Sequence, residues 1–509
     1  MTSAEASSGE NLGAPPAGRP AGLGVLAAAC VSALVVNANT SAVTILLPAI
    51  SKDLDAPVAQ LQWAVTGYML VGAAVIVTSG ALGDVFGRRR IFLAGLLLFV
   101  ASCVLIALAP SGGVVIAGRM IQGAAGSTIL ACGMSLLSVA SSGAAQMKAI
   151  TLWGAASAAG GAAGPLIGGV LVDFTGWQGL FWIDAGIAAA CIPLTLIAVE
   201  ESRDPTAPRS IDFAGTALLA VVLVPLVLAL SEGTSWGWVS LATIGCFAIS
   251  IVGTFVFVAV ERRVEAPLVH LHLLRNRVLV GATLAILIVA GTINALMYVL
   301  SLYFQDPSAF DLSAFQAGLA TLPAAAAMIA ITPLITPLAV RIGGRAAVTI
   351  GFALSAVSFV ALVFVTASWT YAVFVAPLIG IAAGLGIANG PASSASTSSV
   401  SAEEVGQASG ISNMARYIGG SLAVAAVATV YNAVINNHRQ AGASAADALA
   451  AGLSRSALLL AIFAGTGVLL AAVIGRLRPR TPEAVDRAAA AAVTTHTIPT
   501  NPIAARGEA

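Results

Sequence analysis

Apolar residues along this chain gather into long runs separated by short polar breaks, and that spacing predicts membrane helices. A helix that crosses a bilayer needs about 20 mostly apolar residues. Fourteen runs reach that length: 22–49, 60–82, 90–109, 112–139, 147–173, 178–199, 212–231, 238–260, 276–304, 315–339, 345–366, 370–393, 405–432 and 454–475. An even number of spans puts both termini on one side. With the N-terminus inside, the inner segments hold Arg19; Arg88, Arg89 and Arg90; Lys148; Arg203 and Arg209; Arg262, Arg263, Arg275 and Arg277; Arg341 and Arg345; and five arginines beyond residue 475. The outer loops hold Lys52, Arg439 and Arg455. Basic residues mark the cytoplasmic side, so a division of eighteen to three predicts that both termini are cytoplasmic. The expectation is an all-α polytopic protein of the cell membrane with fourteen transmembrane helices.

The breaks are unequal. A charged stretch from Glu200 to Asp212 precedes spans 7 and 8, and a second from Glu261 to Arg277 precedes the last six. Six, two and six spans suggest a duplicated bundle with a central insertion, an architecture usual among secondary transporters. The expected divisions are a disordered leader (1–21), a six-helix bundle (22–199), a linker with two extra helices (200–275), a second six-helix bundle (276–475) and a disordered tail (476–509). The leader is rich in Ser, Gly and Pro with one basic residue, Arg19, unlike a secretory signal. The tail is rich in Ala, Thr and Pro.

Composition agrees. The chain is 58% hydrophobic and 9% charged, where soluble domains carry roughly 25% charged residues. Mean hydropathy is +0.96. A soluble core could not hide this much apolar surface; lipid removes the difficulty. A net charge of +1 offers no electrostatic case for nucleic acid. Cys30, Cys103, Cys132, Cys191 and Cys246 all lie in apolar runs, without the spacing of a metal site. No phosphate-binding loop and no nucleophile–base set is present. His270 and His272 fall in the charged link, in an amphipathic stretch. An enzyme is not expected, nor any cofactor.

The sharpest motif joins spans 2 and 3: Gly80-Ala-Leu-Gly-Asp84-Val-Phe-Gly87-Arg88-Arg89-Arg90. Glycines allow a tight turn. Asp84 can pair with an arginine or cap a helix end, so that the pair holds one conformation and releases another. Arginines alone would read as an ordinary inner loop. With Gly80, Asp84 and Gly87 at this spacing, the segment resembles the loop signature of the major facilitator superfamily. In span 4, Gly118-Arg119-Met-Ile-Gln122-Gly123 is similar to the family's Arg-x-x-Gln-Gly motif. Arg119, Gln122 and Gly126 share one helical face. In span 5, Gly160, Gly164, Pro165, Gly168 and Gly169 resemble the antiporter signature of its drug-exporting branches. Small residues on one face let another helix approach closely, and Pro165 permits a bend. The resemblance implies a flexible helix at the contact between the two halves. Fourteen spans, with Trp63 and Tyr68 in span 2, point to the fourteen-helix drug:proton antiporter group.

The resemblance implies that Arg119 takes part in proton coupling or substrate binding; a plainer reading pairs it with a backbone carbonyl. The chain then departs from the group. Asn39 stands in span 1 where the group carries a membrane-embedded Asp. An amide cannot titrate, although it can bond a substrate or Arg119. Asp184 in span 6 is the acid clearly inside a span, about 9 Å from the outer end at about 1.5 Å per residue, a depth similar to that of Arg119. The resemblance puts span 6 on the periphery, so a proton site at Asp184 stands beside a structural or interfacial role. Trp63 and Tyr68 in span 2, Asn294, Tyr298 and Ser301 in span 9, and Asn389 in span 12 are candidate cavity residues, with helix–helix hydrogen bonding as the alternative for those of spans 9 and 12. Asn413, Arg416 and Gly419 also fit the group's pattern; Arg416 is near an inner end, where it could simply snorkel. Arg341-Ile-Gly343-Gly-Arg345 faintly repeats the loop motif without its Asp.

The function expected is export of hydrophobic or amphiphilic small molecules, drugs and antibiotics among them, by alternating access. Protons are the expected coupling ion, the bilayer and a small hydrophobic substrate the partners, and a monomer the working unit. The alternatives are an uncoupled or voltage-driven facilitator or importer of a metabolite and, in another class, a membrane sensor that does not transport.

Overall fold

A computed structural model of the chain describes residues 21–141, 143–203, 212–264, 267–400 and 404–474. The tail and all but the last residue of the leader lie outside these, as does Arg209. The described residues form fourteen helices of twenty residues or more, and no strand. They are α1 Leu23–Asp53, α2 Trp63–Phe86, α3 Arg88–Ala107, α4 Gly112–Ala140, α5 Gly143–Thr175, α6 Gln178–Ala198, α7 Phe213–Trp236, α8 Leu241–Glu261, α9 Arg277–Gln305, α10 Ala314–Ile342, α11 Gly344–Val363, α12 Tyr371–Ser398, α13 Val405–Gln440 and α14 Ala445–Ile474. A single helical turn, Val58–Leu61, leads into α2. Twelve of the helices are long and apolar enough to cross a membrane, thirteen with the bent α5. Within α10, Ala314–Met328 is an apolar stretch among the described residues.

Local chemistry sets the breaks. Gly87 ends α2 at φ 117°, and Gly343 ends α10 at φ 86°. Both lie where side chains are strained, which glycine escapes. Asp212 caps α7 by accepting from the Gly215 N–H at 2.6 Å. Asn276 caps α9 by accepting from Val278 and Leu279. Between Gly161 and Ala163, α5 bends by 45°. Pro165 explains it: its ring crowds the carbonyl four residues back, at Gly161, and removes a bond there.

Packing repeats along the chain. Within α1–α6 the neighbours are α1 with α4, α5 and α6; α2 with α4; and α3 with α4 and α6. Each of these pairings recurs eight helices later in α9–α14. The two bundles meet where α2 packs on α13 and α5 on α10, pairings that exchange under the same repeat. A third contact joins α1 to α9. The hairpin α7–α8 covers one seam, since α7 touches both α2 and α13. Leu219, Leu223 and Val227 of α7 pack there with Leu70 and Ala73 of α2 and Ile411 and Ala425 of α13. Gln62 Nε2 donates to Ser231 Oγ, Thr429 Oγ1 donates to the Leu230 carbonyl, and the Thr78 and Thr216 hydroxyls bond each other. The outer face of α8 stays bare, with Ile244, Val252 and Phe255 all more than half exposed.

Both bundles run between two ends. The lower end carries Gly87, Val199 and Gly343; the upper end carries Leu54, Gly176 and Asp306. At the upper end the halves are tied together. Ser301 Oγ donates to the Thr44 carbonyl at 2.8 Å and Gln305 Nε2 to the Ile45 carbonyl at 3.1 Å. Ser313 Oγ of the α9–α10 loop donates to Asp173 Oδ2 at 3.1 Å. Gly169 lies against the Ala314–Phe315 backbone, and Gly318 against that of Pro165–Leu166.

Candidate functional site

A fully buried arginine organises the first bundle. Arg119 on α4 has no exposed surface, and neither has its neighbour Gln122. Its Nε donates to the Ala64 carbonyl at 3.1 Å, and Nη1 to Asn39 Oδ1 at 2.5 Å. Nη1 also meets Gln122 Oε1, one turn along the same helix. The guanidinium lies over the Tyr68 ring, 4.2 Å from its centroid, a cation–π contact strengthened by the absence of water. Gln122 Nε2 turns on to Cys103 Sγ at 3.0 Å. Nη2 is buried without a partner.

Asn39 carries the chain of bonds further. Its Nδ2 donates to Asp184 Oδ2 at 2.7 Å. The amide is thereby oriented at both ends, because its oxygen can only accept and its NH₂ can only donate. An ionised acid at 39 could take the bond from Arg119, but it could not donate to Asp184. An asparagine there and a carboxylate on α6 are a matched set. The acid is displaced by one hydrogen bond from the arginine that balances it. Asp184 is 5% exposed, while its neighbours Trp182, Ile183 and Ile187 are well exposed on the other face of α6. The helix is peripheral, as the resemblance implies, yet this side chain points inward to α1. A proton arriving at Asp184 would remove the countercharge of Arg119 without breaking the amide's bond to the arginine.

Tyr68 links this network to the other half. Its hydroxyl accepts from Thr40 Oγ1 at 3.0 Å. Its ring stands 6.4 Å from that of Tyr417 on α13. Tyr417 lies against Gly72, where a larger residue would collide with the ring. The next residue, Arg416, donates to Asn389 Oδ1 at 3.0 Å and to Ser393 Oγ at 2.8 Å. It does not extend along α13 to the helix end but is held by α12. The sequence motifs do not single out Thr40, Cys103, Ser393 or Tyr417; the aromatic residue beside Arg416 is the available clue.

The other candidates fall elsewhere. Asp84 Oδ1 pairs with Arg88, 2.9 Å from Nε and 2.8 Å from Nη2, across the break at Gly87. Arg88 N–H donates to the Ser202 carbonyl, Arg89 Nη2 to the Leu196 carbonyl, and Arg90 lies 3.5 Å from Glu201. These bonds tie the α2–α3 turn to the end of α6 within the same bundle. Gly80 has open space beside it. Gly160, Gly164 and Gly168 lie against Leu34, Ala38, Ser41 and Ala42 of α1, inside the first bundle rather than between the halves. Gly169 and the backbone of Pro165 are the parts of that set that meet α10. Trp63 packs at the α7 seam. Tyr298 is fully buried with its hydroxyl unpartnered. Asn294 donates back to the Ala290 carbonyl of its own helix. Among the described residues, no group of three or more His, Cys, Asp or Glu could hold a metal, and the five cysteines are unbridged.

Known proteins share this fold. The solved structure of an auto-inhibited POT family peptide transporter superposes with a TM-score of 0.64, at 16% identity, covering 89% of this chain and 97% of that one. A bacterial homolog of the lysosomal transporter Spinster, inward-facing and unoccupied, gives 0.61 at 15% identity over 89% and 96%. In sequence, the tetracenomycin C resistance and export protein of Streptomyces glaucescens is 30% identical over 404 residues, 79% of this chain and 74% of its own. Multidrug resistance protein Stp of Mycobacterium tuberculosis is 32% identical over 402 residues, 79% and 73%. The cephamycin export protein CmcT of Amycolatopsis lactamdurans is 30% identical over 411 residues, 80% and 84%. Residues 29–424 match the family profile itself, and this multi-pass membrane protein belongs to the Major Facilitator Superfamily, a family of transporters.

Proposed function

We propose that the protein exports amphiphilic, antibiotic-like small molecules from the cell by alternating access, and that proton binding at Asp184 drives it. The observation that carries this reading is the buried chain Asp184–Asn39–Arg119, with bonds of 2.7 Å and 2.5 Å. A carboxylate buried among transmembrane helices is a proton-relay position by default. Proton uptake frees Arg119 from its countercharge. Tyr68, stacked on Arg119 and packed near Tyr417, gives the event a route to the second bundle. The Asp84–Arg88 pair, the bent α5 and the ties at the upper end belong to the moving parts. With fourteen spans and both termini in the cytoplasm, the tied upper end faces outside. The names of three relatives, which refer to resistance or export, support the direction and the class of substrate. The protein works as a monomer in this reading.

The test is substrate-driven proton movement. Purified protein in liposomes with an internal pH dye is challenged with hydrophobic antibiotics. Wild type should move protons with substrate, and Asp184→Asn should move none while still binding substrate. Substrate transport without proton movement in the wild type would make the protein an uncoupled or voltage-driven carrier. Binding without any flux would make it a sensor.

A further inference from the structure

The charge inside the helices does not balance. Arg119, Asp184, Arg416 and Arg455 are the charged residues six or more positions from either end of their helix among the described residues. Arg455 is exposed on α14. Asp184 offsets Arg119 through Asn39. Arg416 has no such counterpart. Its side-chain bonds go to a neutral amide and a neutral hydroxyl, both on α12. No carboxylate among the described residues lies within ion-pair distance of it. One turn earlier on α13, Ser412 Oγ is buried without a partner. Arg416, Asn413, Asn389 and Ser393 each keep part of their surface open, so the cluster is reachable rather than sealed.

A cation among membrane helices is costly unless something pairs with it. Arginine has five N–H donors in a fixed fork, and carboxylates take two of them at once. Two of the five are occupied here. We infer that Arg416, with Asn389 and Ser393, is the recognition site for an acidic group on the transported molecule: a carboxylate, or an ionised phenol or enol, carried on an apolar body. This rests on the reading of the protein as an exporter and adds the charge its substrates carry. The position suits the task. Tyr417, next in sequence, packs on Gly72 and near Tyr68, so an anion drawn to Arg416 sits beside the contact that joins the two halves. Asp184 stays outside this cluster, which separates recognition from coupling.

The experiment is a binding comparison with three probes sharing one aromatic body: 3-(2-naphthyl)propionate, its primary amide, and the matching propylamine. Full-length protein in detergent is titrated by equilibrium dialysis. Wild type should bind the carboxylate about tenfold more tightly than the amide, equal to about 1.4 kcal/mol, and the amine least. Arg416→Gln should bring the carboxylate to the amide's affinity while leaving the amide unchanged. Arg416→Lys should keep a reduced preference, since an ammonium cannot bind two oxygens in a fork. Equal binding of carboxylate and amide by wild type, tightest binding of the amine, or an unchanged preference in Arg416→Gln overturns the inference. If Arg416→Gln elutes as aggregate, wild type and Arg416→Lys decide it. Proton flux plays no part in this assay, so a charge preference without coupling sinks the coupling reading alone, and coupling without preference sinks this one alone.

Discussion

Moving one charge tests the Asp184–Asn39–Arg119 chain directly. Asp184→Asn leaves Arg119 buried with neutral acceptors only. Bonds of 2.7 Å and 2.5 Å flank the Asn39 amide. The carboxylate and guanidinium therefore stand about 6–7 Å apart, and at an effective dielectric near 20 their attraction is about 2–3 kcal/mol. The bond to Asn39 also loses its ionic character, about 1 kcal/mol more. Breaking a buried charge pair from one side costs about 3–5 kcal/mol, which agrees with that sum. The double variant Asn39→Asp with Asp184→Asn moves the carboxylate onto α1, directly against Arg119, and puts the amide on α6. Donor and acceptor still match, with their directions exchanged. Its stability should return to within about 1 kcal/mol of wild type, because direct contact at least restores the lost attraction. Substrate-driven proton movement, absent in Asp184→Asn, should return with it. The single variant Asn39→Asp places two acids side by side and should not behave like the double. The assay is the free energy of unfolding in mixed micelles, paired with proton flux in liposomes. Asp184→Asn as stable as wild type, or a double variant no better than Asp184→Asn, would mean that the two charges do not feel each other through Asn39.

Two further outcomes follow from packing and charge. At Gly164 an added methyl group would meet Ser41 Oγ, the Ala38 carbonyl and, at 3.1 Å, the Ala42 nitrogen, whereas at Gly161 it would meet nothing within 4 Å. Gly164→Ala should therefore lose about 1–3 kcal/mol by forcing α1 and α5 apart, while Gly161→Ala should be neutral or gain up to about 1 kcal/mol of helix propensity; unfolding in mixed micelles separates them. His270, in the link before α9, has its pKa lowered, first by burial and then by the neighbouring His272, whose ring centroid is 5.7 Å away, with Glu404 acting in the opposite direction. A lowered folded-state pKa favours the neutral ring, so its contribution is complete above the ordinary histidine range near 6.5 and falls away as the pH drops below it. Unfolding followed from pH 7.5 down to pH 5 should show a shallower loss in His270→Asn than in wild type; identical slopes would remove His270 from the account.

Much of this protein is legible in the order of its residues alone. Lipid cannot satisfy a bare backbone group, so each crossing must be a long apolar helix, and such runs are visible one by one. The breaks at Gly87 and Gly343 and the bend near Pro165 are equally local, since each follows from the backbone freedom of one residue. Arg119 stands out because a charge in an apolar run has few explanations. Its partners do not. Asn39 and Asp184 are 145 residues apart and joined by a single amide, and nothing in the apolar outer face of α6 shows which way Asp184 turns. The glycines of α5 have the spacing of a close helix contact, and the resemblance assigns that contact to the two halves. Spacing does not name the partner helix, however; for Gly160, Gly164 and Gly168 it is α1. The seat of α7–α8 over the α2–α13 seam and the meeting of Tyr68 with Tyr417 depend on how two bundles dock. Helices, their breaks and the chemistry available in each are properties of neighbours along the chain, and a linear reading reaches them. Which buried charges balance, and which is left for a substrate, are properties of neighbours in space, and they emerge only once the two bundles are packed.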